Sequence, residues 1–274
     1  MPNQPLDTAG LANMRIDLDK LLIDSAISGN LTVINDLLAK GVDPRLGSSS
    51  ALRKAASNGH VECVKALIPV SDPTADHCDA AVGAAASGRA ECLRLLLPLC
   101  GGAFLPDALA DSLVWSSQNG HSECVKILLD FCSPDSNTKA AALSLAAEHG
   151  RLECLLLLLP ASPSLANDSE PLRLASKHGA SDCVRALLPV SPSIFEDDRP
   201  LRAAVNHGQA HVLSAMLDHH PLLEASLDLP AMREDAVARG FRELAELAGA
   251  LADRQELALC ASKQDSAPSN AFRL

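Results

Sequence analysis

Nine histidines and nine cysteines are the side chains of this 274-residue chain best suited to hold a metal or carry a nucleophile. Three histidines, His149, His178 and His207, each stand one residue before a glycine, at a spacing of 29. A constant spacing of that size places them on successive copies of one structural brick, roughly 10 Å apart if the bricks pack as helices do. A tetrahedral ion needs its ligands at about 2 Å. The three are therefore read as a solvated polar column open to a partner, and no metal site is expected. Because imidazoles titrate near neutrality, the column could respond to pH. His60 and His121 follow their glycines and are read as structural, bonding local backbone. His219 and His220 read as a loop pair.

The cysteines are odd in number and form no CxxC pair. Five of them, Cys63, Cys92, Cys124, Cys154 and Cys183, fall four residues after a glycine. Such a thiol is a small buried hydrophobe recurring once per brick. Disulfides need Cα atoms within about 7 Å, so in-register thiols cannot readily pair, and a reducing compartment is expected. No HExxH, GxSxG, GxGxxG or Walker-type loop is present. Ser48 to Ser50 read as linker and helix cap. Glu62, Glu91, Glu123, Glu153 and Asp182 recur at one position, where they suit the positive end of a helix dipole. Acid–base catalysis would need a cleft and a second group that this pattern does not supply. Arg53, Arg173 and Arg202 share another column, either bonded locally or able to capture an acidic peptide. Trp115, the only tryptophan, is read first as packing between bricks; the sharper reading makes it an anchor for a partner.

The elements that must position these residues are visible as a repeat. Glycines at 29, 59, 88, 120, 150, 179, 208 and 240 are separated by 30, 29, 32, 30, 29, 29 and 32 residues. After each, apolar residues stand at offsets four, five, eight and nine, as in Cys124, Val125, Leu128 and Leu129. That is one stripe of a helix. Before the glycine lies a helix with a small-residue face, such as Ala55–Ala56 or Ala84–Ala85. The glycine takes positive φ and turns the chain from one helix to the next. Pro69, Pro98, Pro160 and Pro189 end the second helices. Apolar residues make up 47% and aromatics 2%, so the core is expected to be aliphatic. The net charge of −11 repels phosphate and argues against nucleic acid. No apolar run approaches a membrane span or a signal peptide's core.

These residues carry a resemblance. Asn58-Gly-His-Val-Glu-Cys-Val-Lys-Ala-Leu-Ile68 resembles the second-helix signature of the ankyrin repeat. Gly41-Val-Asp-Pro44 resembles its Gly-Ala-Asp-Pro ending, and Glu170-Pro-Leu-Arg173 and Arg199-Pro-Leu-Arg202 its Thr-Pro-Leu-His opening, with Arg in the His place. The resemblance implies an all-α helix-turn-helix solenoid of about eight repeats over residues 19–253. The copies are shorter than the family's, so shortened hairpin fingers are expected. Residues 1–18 are read as a flexible leader, and 254–274 as the end of the C-terminal cap and a disordered tail.

The resemblance implies a non-catalytic scaffold that needs no cofactor. Its protein partner would meet the concave ends of the first helices: Ser57, Asn58, Ser87, Gln118, Asn119, Glu148, His149, Lys177, His178, Asn206 and His207, with Trp115 as anchor. Nucleic acid, membrane and small-molecule substrates are not expected. The expected location is the cytoplasm. The alternative is a secreted bacterial effector, its leader directing export into a host cell, where the repeats engage a host protein. An enzyme or metal-regulated switch, and a purely structural spacer, are the remaining rivals.

Overall fold

The computed structural model of the chain describes residues 8–100, 106–161, 169–191 and 197–265. Every regular element among them is helical. The chain divides into two compact units.

Unit 1 comprises Met1–Ala146 and Arg151–Pro163. Its first helices are α1 (Thr8–Ser28), α3 (Leu46–Asn58), α5 (Ala75–Ala86), α7 (Pro106–Asn119) and most of α9 (Ser136–Glu148). Its second helices are α2 (Leu31–Ala39), α4 (Val61–Leu67), α6 (Ala90–Leu96), α8 (Ser122–Phe131) and α10 (Leu152–Leu158). Helix α1 packs on α3, α3 on α5 and α5 on α7; α2, α4, α6, α8 and α10 form a second row in the same order. The first row packs closely because its facing residues are small: Ala55, Ala56, Ala84, Ala85, Ser116 and Ser117 are fully buried. The serines satisfy their hydroxyls within the helix, and Ser116 Oγ also donates to Ala85 O of the preceding repeat at 3.1 Å.

Unit 2 comprises Ala147–Gly150 and Ser164–Leu274. It contains α11 (Glu170–His178), α12 (Ser181–Leu187), α13 (Arg199–Asn206), α14 (Ala210–His219), α15 (Leu229–Arg239) and α16 (Arg242–Asp265). Here α11 packs on α13, α12 on α14, and α15 on α16.

The eight turn glycines all have positive φ, between 67° and 85°. The five in-register cysteines are free and buried. The second helices stop before their prolines, and 3-10 turns at Ile68–Val70 and Leu97–Leu99 carry Pro69 and Pro98. No strand occurs among the described residues.

Three features differ from the sequence reading. Helix α1 begins at Thr8, inside the stretch read as leader. Pro2 and Pro5 lie before it, whereas Leu11, Ala12 and Met14 are good helix formers. At the other end, α16 runs past residue 253 to Asp265, because no helix breaker intervenes before Pro268. Residues 1–7 and 266–274, which include the ends of the expected leader and tail, lie outside the described residues. The last repeat is also less polar than a cap should be, since Val237 and Leu257 are exposed in it.

The residues Ser48 to Ser50 do not form a helix N-cap. Ser48 and Ser49 have left-handed φ, as do Asp76, His77 and Cys78 one repeat later. Each such residue costs about 1–2 kcal/mol relative to a right-handed turn. The buried Ser49 Oγ offsets part of this by accepting the N–H of Asp72 at 2.9 Å.

Candidate functional site

Most repeat glycines form both a turn and a platform; Gly240, with nothing within 4 Å of where its Cβ would be, forms only the turn. The glycine's left-handed φ ends the first helix. In a platform glycine the missing Cβ leaves room for the side chain that follows the next repeat's glycine. A Cβ on Gly29 would fall 2.5 Å from the His60 ring, and on Gly88 2.5 Å from the His121 ring. Arg89 covers Gly59, Arg151 covers Gly120, Gln209 covers Gly179 and Phe241 covers Gly208.

From that position the side chain reaches the carbonyl two residues before the covered glycine. His60 Nε2 donates to Ile27 O at 2.8 Å. Arg89 Nε donates to Ser57 O at 3.3 Å, Arg151 Nε to Gln118 O at 3.1 Å, and Gln209 Nε2 to Lys177 O at 3.2 Å. Where the covering residue is Phe241, Arg239 Nη1 bonds Asn206 O at 3.1 Å instead. His60 was expected to bond local backbone; its partner lies in the preceding repeat. These bonds satisfy helix-end carbonyls that would otherwise lack partners, and they tie the first-helix ends together.

The expected partner-binding residues sit on those tied ends. In unit 1, Asn58, Asn119 and Trp115 are exposed, and Ser57, Ser87 and Gln118 are half-buried. Several are already engaged. Ser57 Oγ donates to Arg53 O and Asn58 Nδ2 to Lys54 O. Asn119 Nδ2 donates to Ala86 O at 3.1 Å, making the same kind of inter-repeat tie that Arg89 makes one repeat earlier. Trp115 is 49% exposed on α7 rather than packed between repeats. In the preceding repeat the matching position is Gly83, which offers the indole no side chain.

In unit 2, His149, His178, Asn206 and His207 are exposed, with Glu148 and Lys177 half-buried. His178 Nε2 lies 3.3 Å from Glu148 Oε1. His207 Nδ1 is 3.0 Å from Ala203 O, which can only accept, so Nδ1 carries the proton.

A chain whose helical pairs repeat at this period, with this glycine turn, also matches a known family. The model described as "Ankyrin repeats (3 copies)" matches residues 22–107 and 109–168, just over half of the sequence. The chain belongs to the ankyrin repeat family. The crystal structure of the human ASB11 ankyrin repeat domain is similar in fold, with a TM-score of 0.61 and 24% identity, over 73% of this chain and 97% of that one. No curated protein matches. Ankyrin repeats serve in general as protein-binding scaffolds.

The arginine column of these ankyrin repeats is occupied locally. Arg53 pairs with Asp79 at 2.8 Å and Arg202 with Asp198 at 2.6 Å. Arg173 forks onto both carboxylate oxygens of Glu170 and holds that carboxyl below its usual range. Each positive charge thus has a carboxylate within reach, so the column is bonded locally.

The recurrent acids open the second helices as expected, and two of them also cross between ankyrin repeats. Arg94 pairs with Glu123, and Ser122 Oγ donates to Glu153 at 2.8 Å. Burial pushes the thiols of Cys63, Cys92, Cys124 and Cys154 up, to about 11 for Cys124 and Cys154, where the neighbouring Glu123 and Glu153 add to it. They are protonated packing groups and not nucleophiles. Among the described residues, no group of three or more His, Cys, Asp or Glu side chains could hold a metal, and no helix is long and apolar enough to cross a membrane.

One feature was not anticipated from the sequence. In unit 2 an open cleft of about 480 Å³ lies beside Asn206, with Asp198 and Arg202 at its polar edge and Leu201, Leu223 and Met232 on its walls. Its far wall is the 3-10 helix Pro221–Ser226. The signal was the 32-residue spacing before Gly240, where the longer return includes that helix.

Proposed function

We propose that this protein is a non-catalytic scaffold that binds a protein partner across the ends of its first helices, with Trp115 as the anchor in unit 1. One observation carries the reading. Side chains exposed at a single register project from backbone that is tied repeat to repeat by side-chain bonds to carbonyls. Such a surface is ordered before the partner arrives, and preorganisation lowers the ordering cost of association. A half-exposed tryptophan on it is the residue type most enriched where binding energy concentrates.

The test is capture of partners by the immobilised full chain from lysate of the source cells, read by mass spectrometry. Trp115→Ala and His178→Ala should each weaken capture of the same protein by about tenfold or more, the loss expected of a residue that carries binding energy. Circular dichroism should stay unchanged. If both variants hold the partner as tightly as the parent, the surface lies elsewhere.

A further inference from the structure

The two units carry different chemistry at the position just before the turn glycine. In unit 1 that position holds Ser28, Asn58, Ser87 and Asn119, none of which titrates near neutral pH. In unit 2 it holds His149, His178 and His207, followed by Arg239. All three imidazoles are exposed. Helices α11 and α13 pack side by side, and the His178–Glu148 approach places residue 148 against the end of α11.

Resting on the protein-binding reading above, we propose that the row His149, His178 and His207 takes an extended acidic segment of a partner protein and engages it when the imidazoles are protonated.

The surrounding charge argues for this occupant. Around the row stand Arg173 with Glu170, Arg202 with Asp198, and Arg239 with Asp235, each cation with its carboxylate. Two more charges of opposite sign, Lys177 and Glu148, belong to the row itself, with Glu148 Oε1 lying 3.3 Å from His178 Nε2. With neutral imidazoles the row therefore has almost no net charge, inside a chain of net charge −11 that repels an acidic segment. Histidine is the side chain whose charge ordinarily changes between about pH 8 and 5. Protonation adds up to three positive charges at one register, one of them, on His178, already facing Glu148.

The spacing selects the shape of the ligand. Neighbouring packed helices are about 8–10 Å apart. An extended chain advances about 3.3–3.6 Å per residue, so carboxylates at every third residue meet successive rungs. A helical ligand would need about six residues for the same distance at 1.5 Å each, and its intervening side chains would face the row.

The experiment uses the full chain and a fluorescein-labelled peptide of about twelve residues with Glu at every third position among Gly and Ser. Anisotropy is read at about pH 8 and about pH 6, at low salt so that exposed charges are not screened. Three exposed ion pairs of the ordinary strength should tighten binding about tenfold at the lower pH. Replacing all three histidines by Gln should abolish that gain. Single His→Gln variants should each remove about a twofold share, which guards against misfolding of the triple variant. Glu148→Gln should raise the affinity at the higher pH, because it removes the row's own carboxylate, which lies 3.3 Å from His178 Nε2 and repels an acidic ligand.

Equal affinity at both pH values, a gain that survives in the triple variant, or equal binding of a single-stranded oligonucleotide of matched charge would each overturn the proposal. Capture of a cellular partner that is independent of pH but lost with Trp115→Ala would sink this inference and leave the scaffold reading standing.

Discussion

A glycine at the end of each first helix carries two constraints that can be separated experimentally. Gly88 and Gly240 both have positive φ, 70° and 78°. A Cβ on Gly88 would strike the His121 ring, whereas one on Gly240 would meet nothing within 4 Å. Gly240→Ala should therefore cost only the backbone strain, about 1–2 kcal/mol. Gly88→Ala should cost at least about 1 kcal/mol more because the ring must move. Equal midpoints in urea unfolding would show that the platform role is negligible. The thiols give a second residue-scale prediction. Seven cysteines are buried, Cys132 is half-buried and Cys260 is exposed. An aromatic disulfide reagent should label one thiol quickly in the folded protein, and Cys260→Ser should remove that phase. The buried thiols should react only on unfolding, since burial disfavours the thiolate that attacks.

Between elements, stability rests on bonds that cross from one repeat to the next. Arg151→Ala removes the donor to Gln118 O and uncovers Gly120; a loss of about 1 kcal/mol is expected. In unit 2, Asp197 ties the start of α13 to the preceding repeat. Its carboxylate accepts from Arg199 and from Ser169 Oγ, and these two donors hold it well below the usual carboxylate range. The folded state therefore favours the ionised form. That contribution is fully present above the unfolded value of about 3.9 and is lost as pH falls toward the folded value. Asp197 is 24% exposed but Arg199 is 61% exposed, so solvent screens the pair. Asp197→Asn should cost about 1 kcal/mol near neutral pH. The gap between parent and variant, measured by urea unfolding, should shrink below about pH 4. A gap constant with pH would mean that the amide replaces the carboxylate fully or that the charge is irrelevant.

Across the whole molecule, repeats contact chiefly their neighbours, so damage should spread by adjacency. Leu93→Ala on α6 leaves a cavity under a fully buried side chain. It should destabilise by about 2–5 kcal/mol. Amide exchange should rise most in α4, α5, α6 and α8 and fall off with distance along the repeats. Uniform loss of protection would argue for a single cooperative core. Much of this architecture was legible in the chain. The glycine period gave the number and length of the repeats, and the stripe of Cys63, Val64 and Leu67 gave the buried face, because each repeat folds on local contacts with a constant register. Exposure at the helix ends also followed from register, as it did for Asn58 and His149. Other features depended on neighbours. Sequence spacing alone could not show that His60 bonds the repeat behind it, that Asn119 is already engaged, or that Trp115 is half exposed. Nor could it show the division into two units or the cleft beside Asn206. The sequence alone determines periodic features, because the 3.6-residue helix and the left-handed glycine act within a few residues. Only the tertiary structure decides which carbonyl a side chain meets and what remains exposed, because those depend on the repeat stacked alongside.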